Sequence, residues 1–407
     1  MGVKQTGDEK GLTGRGKGQT SIYRTLSPVL FLVTILFLTF LARVIFSPLL
    51  VPIEADLHLS HAEAGSFFLL ISIGFAVTML GSGFVSERIT HRGTIFASVL
   101  ICGLALLMIS LSTSLTGIRF GLVALGMGAG LYFPSAMATI TRLVDSAHWG
   151  KAIALHEVGP TMGFVFAPII AELGLNFTSW RGVVVVVGVA CLVAAAIFGL
   201  FGKGGRFTGE PPRLGNIGLL FSQSSFWIIA ILMSLAAGAS VGVYAILPVY
   251  LIDERAMEQG VVNTLVGLSR VSGLITLFLA GWLTDRFGVK LVMVSIYAIA
   301  GVLTGLLGLA TNVWLVIVVF LQPAIVTSFF PVALLALANI GPPHIQNVAI
   351  SLMIPFVFLF GGGIVPAGMG IMAEYRGFAT GFILMGGLLL ANLVLLIFLR
   401  IRPTSTP

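Results

Sequence analysis

Arg43 and Arg270 each stand inside a long apolar run that contains no acidic residue. A guanidinium in such surroundings is expensive and usually functional. It can grip a carboxylate or phosphate by two parallel hydrogen bonds. Glu157 is the single acidic residue within any of the apolar runs, and His156 precedes it. A carboxylate desolvated near such groups can take up and release a proton. Tyr132 and Tyr244 add hydroxyls to two other runs. The chemistry on offer is binding of a small anion by Arg43, Arg270, Tyr132 and Tyr244, with proton coupling at Glu157 and His156. Plainer roles stand beside these. Each arginine can cap backbone carbonyls near Pro48 or Gly273, or pair with Glu157. Glu157 can instead pair with Lys151 or His148, and the tyrosines can simply pack. On a regular helix adjacent residues diverge by about 100°, so His156 and Glu157 are not expected to face one spot.

Other chemistries are missing. No GxxxxGK[ST] phosphate loop occurs, which argues against a self-contained ATP-driven pump. Cys102 and Cys191 both lie in apolar runs, which argues against a disulfide framework. No enzymatic centre, metal site or cofactor is expected.

The elements that hold these residues follow from composition. Of 407 residues 57% are hydrophobic and 9% charged, against about 25% charged in soluble domains. The solvent for most of the chain must be lipid. Apolar runs of roughly 20 residues are long enough to cross a bilayer. They place spans at 27–51, 64–86, 94–113, 116–139, 150–171, 179–201, 223–250, 261–283, 289–310, 313–339, 345–371 and 376–399. Residues 1–26 form a polar, basic tail with no signal-peptide pattern, although Met1–Thr6 fits a short acylation pattern. Residues 27–201 and 223–400 form the two membrane units, 202–222 the linker and 401–407 a second tail. With the amino terminus inside, sixteen of the 22 Lys and Arg fall in cytoplasmic segments and three in outer loops. That bias predicts a multi-pass protein of the cell (inner) membrane with both termini cytoplasmic. It also accounts for the net charge of +7 without nucleic acid. Trp149, Trp180, Trp227, Trp282 and Trp314 fall near span ends, where amphipathic rings prefer to sit.

The chain repeats itself. The segment Gly83 to Arg92, with Glu87–Arg88 at its centre, recurs 198 positions later as Gly281 to Lys290, with Asp285–Arg286. Phe133-Pro134 recurs as Phe330-Pro331, Ala167-Pro168 as Val365-Pro366, and Arg181-Gly182 as Arg376-Gly377. Six spans separate the copies, so the halves are parallel repeats about an axis along the membrane normal.

These loops resemble the GxLxDRxGxK signature of the major facilitator superfamily. The second copy matches at each defining position; the first has Glu87 for Asp and Thr90 for Gly. Gly126-Met-Gly128-Ala-Gly130 to Pro134 is similar to that family's fourth helix. Gly159-Pro160 to Gly163 resembles the tail of its antiporter motif, without the upstream glycine, because Leu155 stands there. The resemblance implies an all-α integral membrane protein with twelve transmembrane helices in two pseudo-symmetric six-helix bundles, working by alternating access as a monomer. It implies gating by Glu87, Arg88, Asp285 and Arg286, whose carboxylates and arginines can pair across the bundle interface at helix ends. An arginine in the eighth helix with a cation in the first resembles the monocarboxylate and oxalate/formate branch. The leading expectation is proton-coupled symport of a small organic anion. Anion exchange, proton-driven efflux of amphipathic compounds and a non-transporting sensor remain as alternatives. Gly361-Gly362-Gly363 lies in an apolar run and is expected to permit close helix packing or a flexible gate. Gly159-Pro160 is expected to bend the fifth span.

Overall fold

The computed structural model describes residues 22–209, 218, 221–338 and 346–399. The expected amino-terminal tail up to residue 21, residues 210–217, 219 and 220 of the linker and the carboxy-terminal tail lie outside the described residues. Among the described residues all regular structure is helical. Ten helices are long and apolar enough to cross a membrane. The 51-residue helix His61–Leu111 among them crosses twice, and Gln259–Ser269 with Ser272–Phe287 supplies one further crossing. The total is the expected twelve spans.

Prolines and serines explain where spans break. The first span runs Ile22–Val44, and the short helix Leu50–Leu57 follows. The sequence alone suggested one helix over 27–51. Pro48 has no N–H for the carbonyl of Val44, and Ser47 N–H takes that carbonyl at 3.1 Å. The fifth span breaks in the same way into Trp149–His156 and Val158–Leu175. Pro160 withholds the N–H that His156 O would accept, so the expected bend falls at Glu157. The eighth span breaks at Arg270–Val271. There Ser269 and Ser272 hydroxyls donate to the carbonyls of Val266 (2.8 Å) and Ser269 (2.6 Å), which loosens a helical turn. The seventh and eleventh spans each carry a widened π turn, Gly238–Gly242 and Phe360–Ile364.

The second and third spans meet at Thr90, with φ 65° and ψ 164°. The eighth and ninth meet at Gly288, with φ 83° and ψ 153°. The repeat therefore keeps its backbone geometry where the glycine was lost. Thr90 holds a conformation that favours glycine, a strain of about 1–3 kcal/mol.

Two cores form. One spans the first six helices and continues into Val243–Leu251 and Val262–Val266 of the second half. The other lies within the second half and includes Phe226, Met293, Phe329 and Leu389. The two halves thus share a core toward the end opposite the repeated loops, here the far end. At the end bearing Glu87–Arg88 and Asp285–Arg286, the signature end, they share none among the described residues.

Candidate functional site

Arg43 sits one residue before the first span stops. Its guanidinium carbon lies over the rings of Phe40 (4.9 Å), Phe75 (4.5 Å) and Phe358 (5.8 Å). It lines a small cavity between the halves, with Phe40, Ser72, Tyr244, Phe358 and Gly362 among the other walls. Arg270 is 5% exposed and sits at the break in the eighth span. Its Nη2 donates to Ser240 O at 2.9 Å, and its guanidinium lies 4.7 Å from the centroids of both Phe164 and Tyr244. Phe40 meets Phe164 edge-on at 4.8 Å, and Phe164 meets Tyr244 at 4.7 Å. The two arginines therefore flank one aromatic partition, Arg43 facing the cavity and Arg270 behind Tyr244.

The Nε atoms of both arginines are buried without a hydrogen-bond partner. No carboxylate forms an ion pair with either guanidinium among the described residues. The suggested pairing with Glu157 is not made. The carbonyl-capping role is met in part by Arg270, toward Ser240 of the seventh span's π turn rather than around Gly273. Cation–π contacts return about 0.5–1 kcal/mol each at exposed sites and about 2 kcal/mol when desolvated. They leave directional N–H capacity unfilled, and an unpaired buried donor is costly. The arrangement can accept an anion.

Tyr244 is 1% exposed, and its hydroxyl donates to Phe164 O at 3.1 Å. Its ring walls the cavity. Tyr132 does not reach the cavity. It is 1% exposed, and its hydroxyl lies 2.5 Å from Leu32 O and 3.0 Å from His156 Nε2. The expectation that His156 and Glu157 face apart is corrected. His156 is fully buried, and its Nδ1 lies 3.1 Å from Glu157 Oε1. The broken helix at Glu157 removes the regular 100° divergence. Glu157 keeps 47% of its side chain exposed. The structure thus joins Tyr132, His156 and Glu157 into one hydrogen-bonded chain, apart from the arginines.

Sequence reasoning missed Ser72, Phe40, Phe75, Phe164, Phe358 and Gly362 as walls of the site. One signal was available: Phe40 precedes Arg43 by three residues, one turn along the same helical face. The expected close packing at Gly361–Gly363 is present. A Cβ on Gly361 would lie 2.4 Å from Ala237 Cβ, and one on Gly363 would lie 2.7 Å from Ser72 Cβ. The eleventh span thereby touches both the seventh and the second beside the cavity.

Glu87, Arg88, Asp285 and Arg286, the residues expected to gate, are exposed. None of them makes an ion pair among the described residues; Arg286 lies over Trp282 at 5.5 Å. The far end is sealed instead. Ala62 N–H donates to Glu374 Oε1 at 3.0 Å, and Asn263 Nδ2 donates to Glu172 Oε2 at 2.8 Å, each joining the two halves. A Cβ on Gly370 would lie 2.4 Å from His61 O. Among the described residues the conformation is closed at the far end and unlatched at the signature end. Arg119, near the far end of the fourth span, is partly exposed and pairs with Glu63 at 3.6 Å.

Comparison with known proteins agrees with this architecture. The model of the Major Facilitator Superfamily matches residues 32–273 and 258–407. The Hexuronate transporter of Bacillus subtilis (strain 168) is 25% identical over 380 residues, 86% of this chain and 88% of that protein. A crystal structure of a bacterial homolog of the human lysosomal transporter Spinster, inward-facing and occupied, superimposes with TM-score 0.77 at 16% identity. It covers 95% of this chain and 100% of its own. The nucleoside transporter NupG gives TM-score 0.77 at 14% identity, covering 91% of this chain and 99% of its own. Duplicated helices, twin loops and a cavity between halves are thus those of a multi-pass membrane transport protein, and the chain belongs to the major facilitator superfamily.

Proposed function

We propose that the protein carries a small organic anion, monocarboxylate-like in its charged group, together with a proton. One observation carries the reading. Two guanidiniums from opposite halves flank a shared aromatic partition, each with an unpartnered Nε, and no described carboxylate neutralises either. Arg43 takes the anion directly, with Ser72 as a hydroxyl partner on the cavity wall. Arg270 adds positive field from behind Tyr244 and joins the site when the partition moves. The name of the Bacillus relative, a hexuronate transporter, supports a carboxylate-bearing substrate.

Proton coupling is supported by a count of hydrogens at the dyad. Leu32 O only accepts, so the single hydroxyl proton of Tyr132 goes there. The Nε2 of His156 then donates to the Tyr132 oxygen. The contact between Nδ1 and Glu157 Oε1 needs a further proton, on the imidazolium or on the carboxyl. The dyad therefore holds one proton more than a neutral imidazole beside a carboxylate. Glu157 is half exposed and gives that proton an exit toward the signature end. The Lys and Arg bias supports a cytoplasmic signature end and cytoplasmic termini; in this reading the protein sits in the cell (inner) membrane and works as a monomer. The unlatched side is then cytoplasmic, and the gating residues engage when that side closes.

Flux in proteoliposomes tests the reading. Uptake of labelled small monocarboxylates should accelerate when an inward acid gradient is imposed. His156→Gln or Glu157→Gln should remove that acceleration and retain counterflow. Uptake indifferent to the gradient, with counterflow retained, would leave an exchanger. Efflux of amphipathic dyes driven by the gradient and lost in Glu157→Gln, with no acid uptake, would replace the anion reading altogether.

A further inference from the structure

We propose that Glu54, His61 and Asp253 form a proton-binding latch that closes the far end of the transporter. This goes beyond the anion site and its dyad, and rests only on the alternating-access part of the preceding reading. Glu54 and His61 belong to the first half, and Asp253 ends the seventh span in the second. Side-chain atoms of the three lie within 4.8 Å of one another. His61 Nδ1 is 3.2 and 3.1 Å from the two oxygens of Glu54, whose side chain is 10% exposed. The next residue, Ala62, donates its N–H to Glu374 of the eleventh span, and the His61 ring stands 4.8 Å from that of Phe378. The imidazole is therefore seated on the seam that must part when the far end opens.

The carboxylates around it come from three other elements. Glu54, Asp253 and Glu374 all lie within electrostatic reach of His61. No lysine or arginine pairs with these three carboxylates among the described residues. Neighbouring charges are engaged elsewhere. Asp56 accepts from Arg181 and from Trp180 Nε1. Glu63 caps Ser60 and pairs with Arg119. Glu254 accepts from the backbone N–H groups of Phe378 and Ala379. Arg255 donates to the Tyr250 hydroxyl and to Gly308 O. His58, Arg376 and Glu258 remain exposed or half-exposed at the rim.

Closing the far end thus gathers three carboxylates around one imidazole. With the imidazole neutral, closure presses like charges together in a partly dry seam. A bound proton turns the same contact into attraction. Burial pushes the Glu54 carboxyl up, and the hydrogen bond from His61 opposes that in part. The closed state binds the proton more tightly than the open state does. Closure is therefore favoured as pH falls and lost as pH rises. For one proton taken up, the closed-to-open ratio changes about tenfold per pH unit within the titrating window. Arriving from the far side, the proton would close the door behind itself.

The test reads conformation and needs no substrate. Cys102 and Cys191 are replaced by alanine, and spin labels are placed on cysteines at Phe177 and Tyr375, which are 89% and 78% exposed at the far ends of the two halves. Distance distributions by pulsed electron resonance in lipid nanodiscs at pH 5 to 8 should show the short, closed population growing toward low pH. The combined variant Glu54→Gln, His61→Gln, Asp253→Asn should lose this dependence. Asp253→Asn alone leaves the Glu54–His61 contact intact and should raise the closed fraction at pH 8 several-fold. Identical wild-type distributions at pH 5 and 8, or a full pH response in the combined variant, would overturn the latch. Set beside the separate proteoliposome flux, pH-driven closure without acid uptake would keep the latch and sink the anion reading, and acid uptake without pH-driven closure would do the opposite.

Discussion

Replacing Arg43 by methionine separates an arginine that awaits a ligand from one that holds the fold. In the wild type the guanidinium lies over three phenylalanine rings and its Nε has no partner. The three cation–π contacts together return about 1.5–3 kcal/mol. Against this stand the stranded Nε, worth about 1–3 kcal/mol, and the effective penalty of several kcal/mol for burying an ion without a counter-ion. Methionine fills similar space, removes both penalties and regains about 0.3–1.5 kcal/mol for each sulfur–ring contact. The substrate-free variant should therefore be more stable than wild type by about a few kcal/mol. It should also lose ligand stabilisation, which for wild type is about 2.7 kcal/mol at a hundredfold excess over Kd. Thermal melting of the detergent-solubilised protein, with and without a series of small monocarboxylates, reads both quantities in one experiment. A variant that melts lower than wild type yet keeps the acid-induced shift would mean that Arg43 is structural and that the anion binds elsewhere.

Adjacent glycines give opposite expectations. Gly361→Ala would set a Cβ 2.4 Å from Ala237 Cβ and 2.6 Å from Gly238 N, so it should lower stability by about 1–3 kcal/mol in a melt. Gly362→Ala meets its nearest neighbour at 3.5 Å; it should melt like wild type and change only the apparent KM, since Gly362 walls the cavity. Thr90→Gly should stabilise by about 1 kcal/mol by releasing a positive φ, whereas Gly288→Ala at the matching repeat position should destabilise by a similar amount; equal melts for all three proteins would discount the strain. Tyr132→Phe strands the buried His156 Nε2–H and should lower stability by about 1–3 kcal/mol. It should weaken gradient-driven uptake more than counterflow, and equal losses in both assays would separate Tyr132 from the coupling path.

Much of the machine was legible in the sequence because lipid imposes strong rules. Apolar runs had to be helices, since backbone groups in a bilayer must be satisfied internally. The repeat located the signature loops, and the arginines declared themselves by being charged where charge is expensive. The break at Glu157 was half legible. Gly159-Pro160 announced a bend, yet its consequence, His156 turning onto Glu157, depends on which carbonyl the proline deprives. Tyr132 was misplaced for a related reason. A hydroxyl on an apolar helix has no periodic signature that tells cavity from helix seam, and here Leu32 and His156 across the seam decide.

The sequence by itself determined helix number, duplication and which charged groups lie in the membrane, because each is a property of composition and spacing along one chain. Tertiary structure alone decided that Arg43 and Arg270 share an aromatic partition, that His156 and Glu157 touch, and that Glu54, His61 and Asp253 meet across the far seam. Each of those contacts joins separate spans or crosses a helix break. Their existence depends on how the halves lean together, and hydrophobic periodicity, which is nearly the same on every face of a lipid-embedded helix, carries no record of that angle.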